Sequence, residues 1–287
     1  MSRLSLTRRQ FLASLTGAAA ATAIAGDGVL LEPNDPHVVR QNFFLSRWPH
    51  RMDGFSIALL SDFHYDPYFS VHPLEAAVPL VNHLHPDLIV LTGDFVSVPI
   101  IGDPKKAALA AEPCARLLRE MTAPCGLWAV LGNHDEDTDP QHVAAALEAE
   151  SINVLANQSH AIERDGARIW LAGLNDVFSR SADVPEALRG IPSDEAVILL
   201  VHEPDFADVT CRFPVDLQLS GHSHGGQIRV PFLPPLYLPV LARKYALGTY
   251  QVGPMILYTN AGLGTVAVPM RLNCPPEITL LTLHSRP

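Results

Sequence analysis

The sequence predicts an α/β fold in which β-sheets pack together and helices cover their outer faces. Apolar runs of strand length recur from about residue 40 onward, and segments with a helical apolar period lie between the early ones. Further strand-like runs follow without helices between them. Strands that first alternate with helices and then continue alone are typical of packed sheets with helices outside.

The predicted elements can be followed in chain order. The first strands cover 55–60, 88–91, 127–131, 196–201 and 217–219, and the later strand-like runs cover 169–171, 228–230, 255–259 and 278–283. The first runs consist almost entirely of leucine and β-branched residues, which is typical of strands buried on both faces. The predicted helices cover 72–84, 105–121 and 141–150. The proline-rich segment 231–239 is expected to be an extended loop.

Composition narrows the class of protein. Hydrophobic residues make up 48% of the chain and charged residues 17%, which is typical of a globular protein. A chain starting near Gly26 would carry 17 basic and 30 acidic residues, a net charge of −13. Such a surface repels phosphate backbones, so nucleic acid is an unlikely partner. The four cysteines form no CxxC pair; disulfides are one interpretation and buried free thiols, which we favour, the other.

The N-terminus has the pattern of an export signal. Arg8-Arg9 precedes Phe11-Leu12, and no charged residue follows until after Gly26. The apolar run is short for a membrane span, and Ala23-Ile24-Ala25 offers small residues for cleavage. We therefore expect residues 1–25 to be a twin-arginine signal peptide recognised by that export machinery, with an uncleaved anchor as the alternative. Residues 26–54 would be a lead-in segment and 55–287 a single domain, placed in the periplasm or another extracytoplasmic compartment.

Polar side chains suited to metal binding follow five of the predicted strands. They are Asp62, His64, Asp94, Asn133, His202, His222 and His224. Ligands of α/β proteins bind at the carboxyl ends of strands, and carboxylate, amide and imidazole groups together suit manganese, iron or zinc. Asp62 and His64 are expected to point to one side of an extended segment. Burying so many unpaired charges without a cation would cost several kcal/mol per group.

These residues resemble the conserved blocks of the calcineurin-like metallophosphoesterase superfamily. The blocks are Asp62-x-His64, Gly93-Asp94, Gly132-Asn133-His134-Asp135, His202 and Gly221-His222-Ser223-His224. All five occur in the family's order between Phe55 and Arg229. The segment from Gly221 to Gln227 is similar to the Gly-His-Thr-His-Gly-Gly-Gln motif of one bacterial branch, with Ser223 in place of threonine.

The resemblance implies a role for each residue. Asp62, His64 and His224 would bind one metal ion, Asn133, His202 and His222 a second, and Asp94 would bridge both. His134 would contact the phosphate and the leaving group, and Asp135 would orient His134. The implied fold is a four-layer arrangement of two packed mixed sheets flanked by helices.

The implied activity is hydrolysis of phosphodiesters or phosphomonoesters. Two divalent ions would supply a bridging hydroxide, and His134 would donate a proton near neutral pH. The alternatives are a non-catalytic envelope protein that binds a phosphorylated lipid or wall polymer, and a nuclease, which the acidic balance disfavours. Loss of His134 or Asn133 would favour the binding protein, and both residues are present.

Two segments beside these blocks leave their interpretation open. Asp66 either caps a turn before Pro67, which we favour, or supports the site as a second carboxylate. The apolar segment 232–238 either packs over the edge of a sheet or forms a hydrophobic lip, for a lipid-like or aromatic ester or for contact with a membrane surface.

Overall fold

The structure is a computed structural model that describes residues 7–10, 14, 16, 17, 22 and 25–286. The predicted signal peptide, residues 1–25, lies largely outside this part of the chain. Within the described residues, no helix has the length and apolar character needed to cross a membrane.

The first of two sheets carries the N-terminal half of the fold. Its strands are β1 (His37–Leu45), β2 (Phe55–Leu60), β3 (Leu88–Leu91), β4 (Leu127–Ala129), β5 (Ile152–Val154) and β12 (Glu277–Ser285). Their order is β1-β12-β2-β3-β4-β5. Strands β2 to β5 are parallel, whereas β12 runs antiparallel to β2 and parallel to β1.

The second sheet is also mixed and also has six strands. They are β6 (Gln158–Arg164), β7 (Ala167–Gly173), β8 (Val197–Leu200), β9 (Leu217–Ser220), β10 (Gly248–Val252) and β11 (Met255–Thr259). Their order is β10-β11-β9-β8-β7-β6, with β7, β8, β9 and β11 parallel and the two outer strands antiparallel.

The two sheets pack face to face, and helices cover their outer faces. Ile57 and Leu59 of β2 lie in a core shared with Ile198 of β8 and Leu217 of β9. The alternate residues of β2 pack on the other side, against the helices of the first half. A third apolar cluster covers the outer face of the second sheet. The predicted four-layer α/β fold is therefore confirmed.

Two of the three predicted helices are present nearly as expected, the third is broken, and three helices of four residues were not predicted. The helices are Val71–Leu84, Pro104–Ala107, Ala111–Leu118, Asn133–Glu136, Pro140–Ala149, Val184–Ala187 and Ala207–Thr210. The predicted continuous helix 105–121 is wrong, because Ala108–Ala110 forms a 3₁₀ turn in its middle. Pro113 explains the break. A proline ring clashes with the carbonyl group four residues earlier, and proline has no backbone N–H to donate to that carbonyl.

Two further expectations about strands need correction. Residues 228–230 form no strand, and only Ile228 makes an isolated bridge, to Leu272. Gln227 before them has a φ of 51°, and Pro231 after them has no N–H to donate to a sheet. The segment 26–54, predicted to be a lead-in, contains strand β1, which pairs with β12 along its whole length.

The structure also decides two local alternatives. The Asp66 carboxylate accepts hydrogen bonds from the backbone N–H groups of Tyr68, Phe69 and Ser70, so it caps a turn. The four cysteines are free thiols, two of them buried and two partly buried.

Candidate metal centre

Loops that follow five parallel strands meet at one place between the two sheets. Strands β2, β3 and β4 are neighbours in the first sheet, and β8 and β9 are neighbours in the second. Their following loops carry Asp62 and His64, Asp94, Asn133, His202, and His222 and His224 respectively. The Asp62 carboxylate joins the sheets, because both of its oxygens lie 3.0 Å from the His222 backbone N–H. The sequence-predicted residues are therefore brought together.

The backbone turns sharply at most of these residues. Asp62, His64, Asp94, His222 and His224 all have positive φ values, between 42° and 66°. The expectation that Asp62 and His64 share one side of an extended segment is therefore wrong, since neither has strand geometry. Non-glycine residues with such φ values are strained, and this strain concentrates at functional sites. The turned backbone aims each side chain back across the end of the sheet.

Glycines before the candidate ligands permit this close packing. Gly93 has a φ of 98°, which residues with a side chain rarely adopt. Gly221 matters for a different reason, because a Cβ atom there would overlap the Ser61 hydroxyl and the Asp62 carboxylate. Gly93 thus allows the turn before Asp94, and Gly221 leaves room for Ser61 and Asp62 beside His222.

A first group of donors is formed by Asp62, His64 and His224. The Nε2 atoms of the two imidazoles lie 3.0 Å apart, and His224 Nε2 lies 3.3 Å from Asp62 Oδ1. All three residues are buried. The other nitrogen of His64 lies 3.0 Å from the Ser97 hydroxyl, which fixes the ring. Their donor atoms lie close enough together to bind one metal ion.

A second group is formed by Asp94, His202 and His222. Asp94 Oδ2 lies 3.2 Å from His202 Nε2 and 3.5 Å from His64 Nε2, so this carboxylate lies between the two groups. Asn133 follows β4 at the same place, and its Oδ1 atom is buried without a hydrogen-bonding partner. Asp94 therefore occupies the position of a ligand shared between two neighbouring groups.

The hydrogen bonds of the imidazoles leave lone pairs directed into the site. His202 Nδ1 donates to the Thr92 carbonyl at 2.6 Å, and His222 Nε2 donates to the Val240 carbonyl at 2.8 Å. The opposite nitrogen of each ring is an acceptor when the ring is neutral, and His202 Nε2 then faces another acceptor, Asp94 Oδ2, at 3.2 Å. Acceptors gathered around carboxylates need a cation between them. The donor set therefore fits divalent metal ions.

The pKa values of the buried groups also indicate a site for cations. Burial raises the pKa of Asp62 to about 6 and lowers the pKa of His64 to about 3 and of His222 to about 4. Burial opposes the charge of His202, but the Asp94 carboxylate outweighs it and raises the pKa of His202 well above its usual value. A proton on His202 and a metal cation thus neutralise Asp94 in the same way.

His134 lies at the rim of this centre and differs from the ligand imidazoles. Its ring meets the edge of the His64 ring at a centroid distance of 4.7 Å, and it is partly exposed. Its Nδ1 atom accepts a hydrogen bond from the Val98 backbone N–H at 2.9 Å. The neutral ring therefore carries its proton on Nε2. Although His134 is near enough to His64 and Asp94 to be a metal ligand, this tautomer makes it a hydrogen-bond donor.

Asp135 does not orient the His134 ring. Its buried carboxylate accepts the backbone N–H groups of Asp94, Phe95, Val96 and Gly132. It has no hydrogen bond to the His134 side chain among the described contacts, so the sequence-based role is corrected. Asp135 holds the loop after β3 against the loop after β4, and it positions His134 only through the backbone.

Several groups at the site were not found from the sequence. Ser97, Thr92, Val98 and Val240 orient imidazoles, three of them through backbone atoms that carry no sequence signature. The Phe178 ring lies 5.7 Å from the His222 ring. Phe178 is far in sequence from every metal-binding block, so only the folded chain places it here.

Metal binding is expected to stabilise the protein more at pH 7 than at pH 5. The unfolded chain ionises Asp62 near pH 4, whereas burial in the metal-free fold keeps its proton until about pH 6. The metal-free fold therefore loses stability as pH rises from about 4 to 6, and at pH 7 it contains an uncompensated carboxylate. A cation removes that penalty, but at pH 5 it must first displace the proton.

Differential scanning fluorimetry of chelator-treated protein, with and without Mn²⁺ or Zn²⁺, measures this difference. Excess chelator added afterwards should reverse the increase in Tm. An increase that is larger at pH 5 than at pH 7 would contradict the assignment of Asp62 as a ligand.

The fold and the site define a metal-dependent hydrolase of phosphoric esters. The chain belongs to the calcineurin-like phosphoesterase family, whose model matches residues 55–226. It is similar to the metallophosphoesterase YkuE of Bacillus subtilis, with 38% identity over 287 residues and 98% of each chain covered. It is also 30% identical to the phosphodiesterase YaeI of Escherichia coli over 284 residues, covering 97% of this chain and 99% of that protein.

A solved structure supports the fold independently of sequence similarity. The NAD nucleotidase NadN of Haemophilus influenzae aligns with a TM-score of 0.51 at 14% identity. The alignment covers 73% of this chain and 45% of that one. At this identity the likeness concerns the fold alone.

Proposed function

We propose that the protein hydrolyses small phosphoesters, diesters in preference to monoesters, at a centre of two divalent metal ions. The observation that carries the proposal is the position of Asp94 between two groups of buried donors. The similarity to a protein named as a phosphodiesterase favours diesters. Manganese, iron and zinc all suit a mixture of nitrogen and oxygen donors.

The chain's own residues divide the work between binding and proton transfer. One ion would be held by Asp62, His64 and His224. The other would be held by Asn133, His202 and His222, and Asp94 would contact both ions. When bound, such a pair of ions supplies a hydroxide near neutral pH and offsets the charge on the phosphoryl oxygens. The imidazoles of His64 and His222 remain neutral donors because burial lowers their pKa values to about 3 and about 4.

His134 would hold the proton that the leaving group needs. The Val98 N–H fixes its Nδ1 atom, which leaves the proton of the neutral ring on Nε2, and His134 lines the cavity above the metal centre. From there the Nε2–H can donate a hydrogen bond to a phosphoryl oxygen. To give a proton to the departing oxygen, the ring must first gain a second proton on Nδ1 in place of the Val98 hydrogen bond, and it then returns to its neutral form.

An activity screen of metal-reconstituted protein tests the proposal. Chelator-treated protein is reconstituted with Mn²⁺, Fe²⁺ or Zn²⁺ and assayed against chromogenic mono- and diesters, with elemental analysis alongside. We expect two ions per chain in the active form and faster hydrolysis of the diester. Binding of phosphoesters without turnover under every condition would sink the proposal and favour the non-catalytic alternative.

We also propose that the protein acts outside the cytoplasm after twin-arginine export. The Arg8-Arg9 pair, the uncharged run behind it and the similarity of Gly221–Gln227 to the motif of an exported bacterial branch support this. Fractionation of cells that express the wild type or a variant with both arginines replaced by lysine tests it. An equal distribution of the two proteins between fractions would contradict export by this route.

A further inference from the structure

A cavity of about 700 Å³ opens directly above the metal centre. Asp94, Asn133, His134, His222 and His224 contribute to its lining. Most of the remaining lining is apolar and comes from three separate parts of the chain. These residues are Phe178, Leu236, Tyr237, Val240, Val266 and Val268. A bound phosphoester would therefore meet metal ligands at one end and an apolar surface at the other.

The apolar residues are not packed into the core. The residues Leu236, Tyr237 and Val268 are 66%, 69% and 48% exposed. Packing over a sheet edge, one of the two interpretations of segment 232–238, would bury them. An exposed apolar group of this size at a polar site is typical of a ligand-binding surface.

The apolar walls are held at a fixed distance from the metal ligands. His222 Nε2 donates to the Val240 carbonyl, which ties one wall to a ligand. The Gln227 amide bonds the backbone of both Val266 and Val268. The buried Arg271 guanidinium donates to the carbonyls of Ala261, Gly262, Gly264 and Cys274, and so holds the loop that contains the second wall.

The charges of the cavity restrict what else the substrate can carry. Among the described residues, no lysine or arginine lines it, and Asp137 adds a negative charge. A second phosphate group, as in a nucleoside polyphosphate, would find no cation there. The lining therefore fits a substrate that has one phosphoryl group and one uncharged substituent.

We propose that the cavity binds an alkyl or acyl chain of the substrate, so that the protein acts on amphiphilic esters with a single phosphoryl group. This inference rests on the proposed hydrolytic function and names the substrate class of the same site. The phosphoryl group would lie at the metal centre, and the chain would cover the exposed faces of Leu236, Tyr237 and Val268.

A series of p-nitrophenyl alkyl phosphodiesters, from methyl to octyl and each below its micellar concentration, tests the inference. We expect kcat/KM of the metal-loaded protein to rise with each methylene by up to about fourfold until the cavity is full. Leu236→Ser and Val268→Ser should flatten this dependence. Leu109→Ser is the matched control, because Leu109 is 53% exposed but does not line the cavity; it should retain the wild-type dependence.

The outcomes separate this inference from the function on which it rests. An active protein whose kcat/KM is independent of chain length, or whose wall variants keep the full dependence, overturns the chain-binding site. A metal-loaded protein that hydrolyses none of the esters overturns the hydrolytic function instead. In that case the Kd values of methyl- to octylphosphonate, measured by calorimetry, test the cavity directly, and equal values refute it.

Discussion

Asp94→Ala is expected to abolish phosphoester hydrolysis, reducing kcat/KM by at least about 10³-fold. Asp94 Oδ2 faces His202 and His64, and Asp94 Oδ1 accepts the His134 backbone N–H at 2.8 Å. Its loss removes the negative charge that the two groups of donors share. It also releases the loop that carries His134. We expect a loss of metal content, measured by elemental analysis, together with the loss of turnover of a chromogenic diester.

Two further variants separate charge from folding. Asp94→Asn keeps the shape and the acceptor for the His134 N–H, so it should remain folded yet lose both metal and activity. Asp194→Ala removes an exposed carboxylate elsewhere and should leave both unchanged. Full activity in purified Asp94→Ala would show that the metal centre has been assigned wrongly.

The inner strands of the fold could be predicted, and the edge strands could not. All eight strands with a neighbour on each side correspond to apolar runs found in the sequence. The four that were missed, β1, β5, β6 and β10, are the outermost strands of the two sheets. Strand β6 shows why, because most of its residues are exposed or half-buried. An edge strand lacks the continuous apolar run that burial on both faces requires.

The candidate ligands could be predicted for a related reason. Each lies just after a buried parallel strand, so the strand itself marks the side chain's position. The contacts that orient these ligands cannot be recognised in the sequence. The four N–H groups that Asp135 accepts, and the Val98 N–H that fixes His134, belong to the backbone and would be the same for almost any residue. The apolar segment 232–238 offers one wall of the cavity in the sequence, but Phe178, Val266 and Val268 lie far from it in the chain, so no local pattern shows that they line the same cavity.

His134→Ala is expected to reduce kcat by about 10²–10⁴-fold while metal content stays at two ions per chain. The ring is partly exposed, and its Nδ1 atom accepts the Val98 N–H, so the imidazole contributes a proton and no lone pair to the centre. Turnover of a chromogenic diester and elemental analysis of the same preparation measure the two quantities. His83→Ala, which removes an exposed imidazole from the helix Val71–Leu84, is the matched control and should change neither.

The leaving group provides a sharper test of the same residue. A p-nitrophenolate group departs readily without a proton, whereas an alkoxide does not. The loss of kcat in His134→Ala should therefore be larger for a dialkyl ester than for a p-nitrophenyl ester, and His134→Gln, which keeps a donor but cannot ionise, should restore little of it. An equal loss for both esters would limit His134 to binding the phosphoryl oxygen, and a loss of metal would make it a ligand.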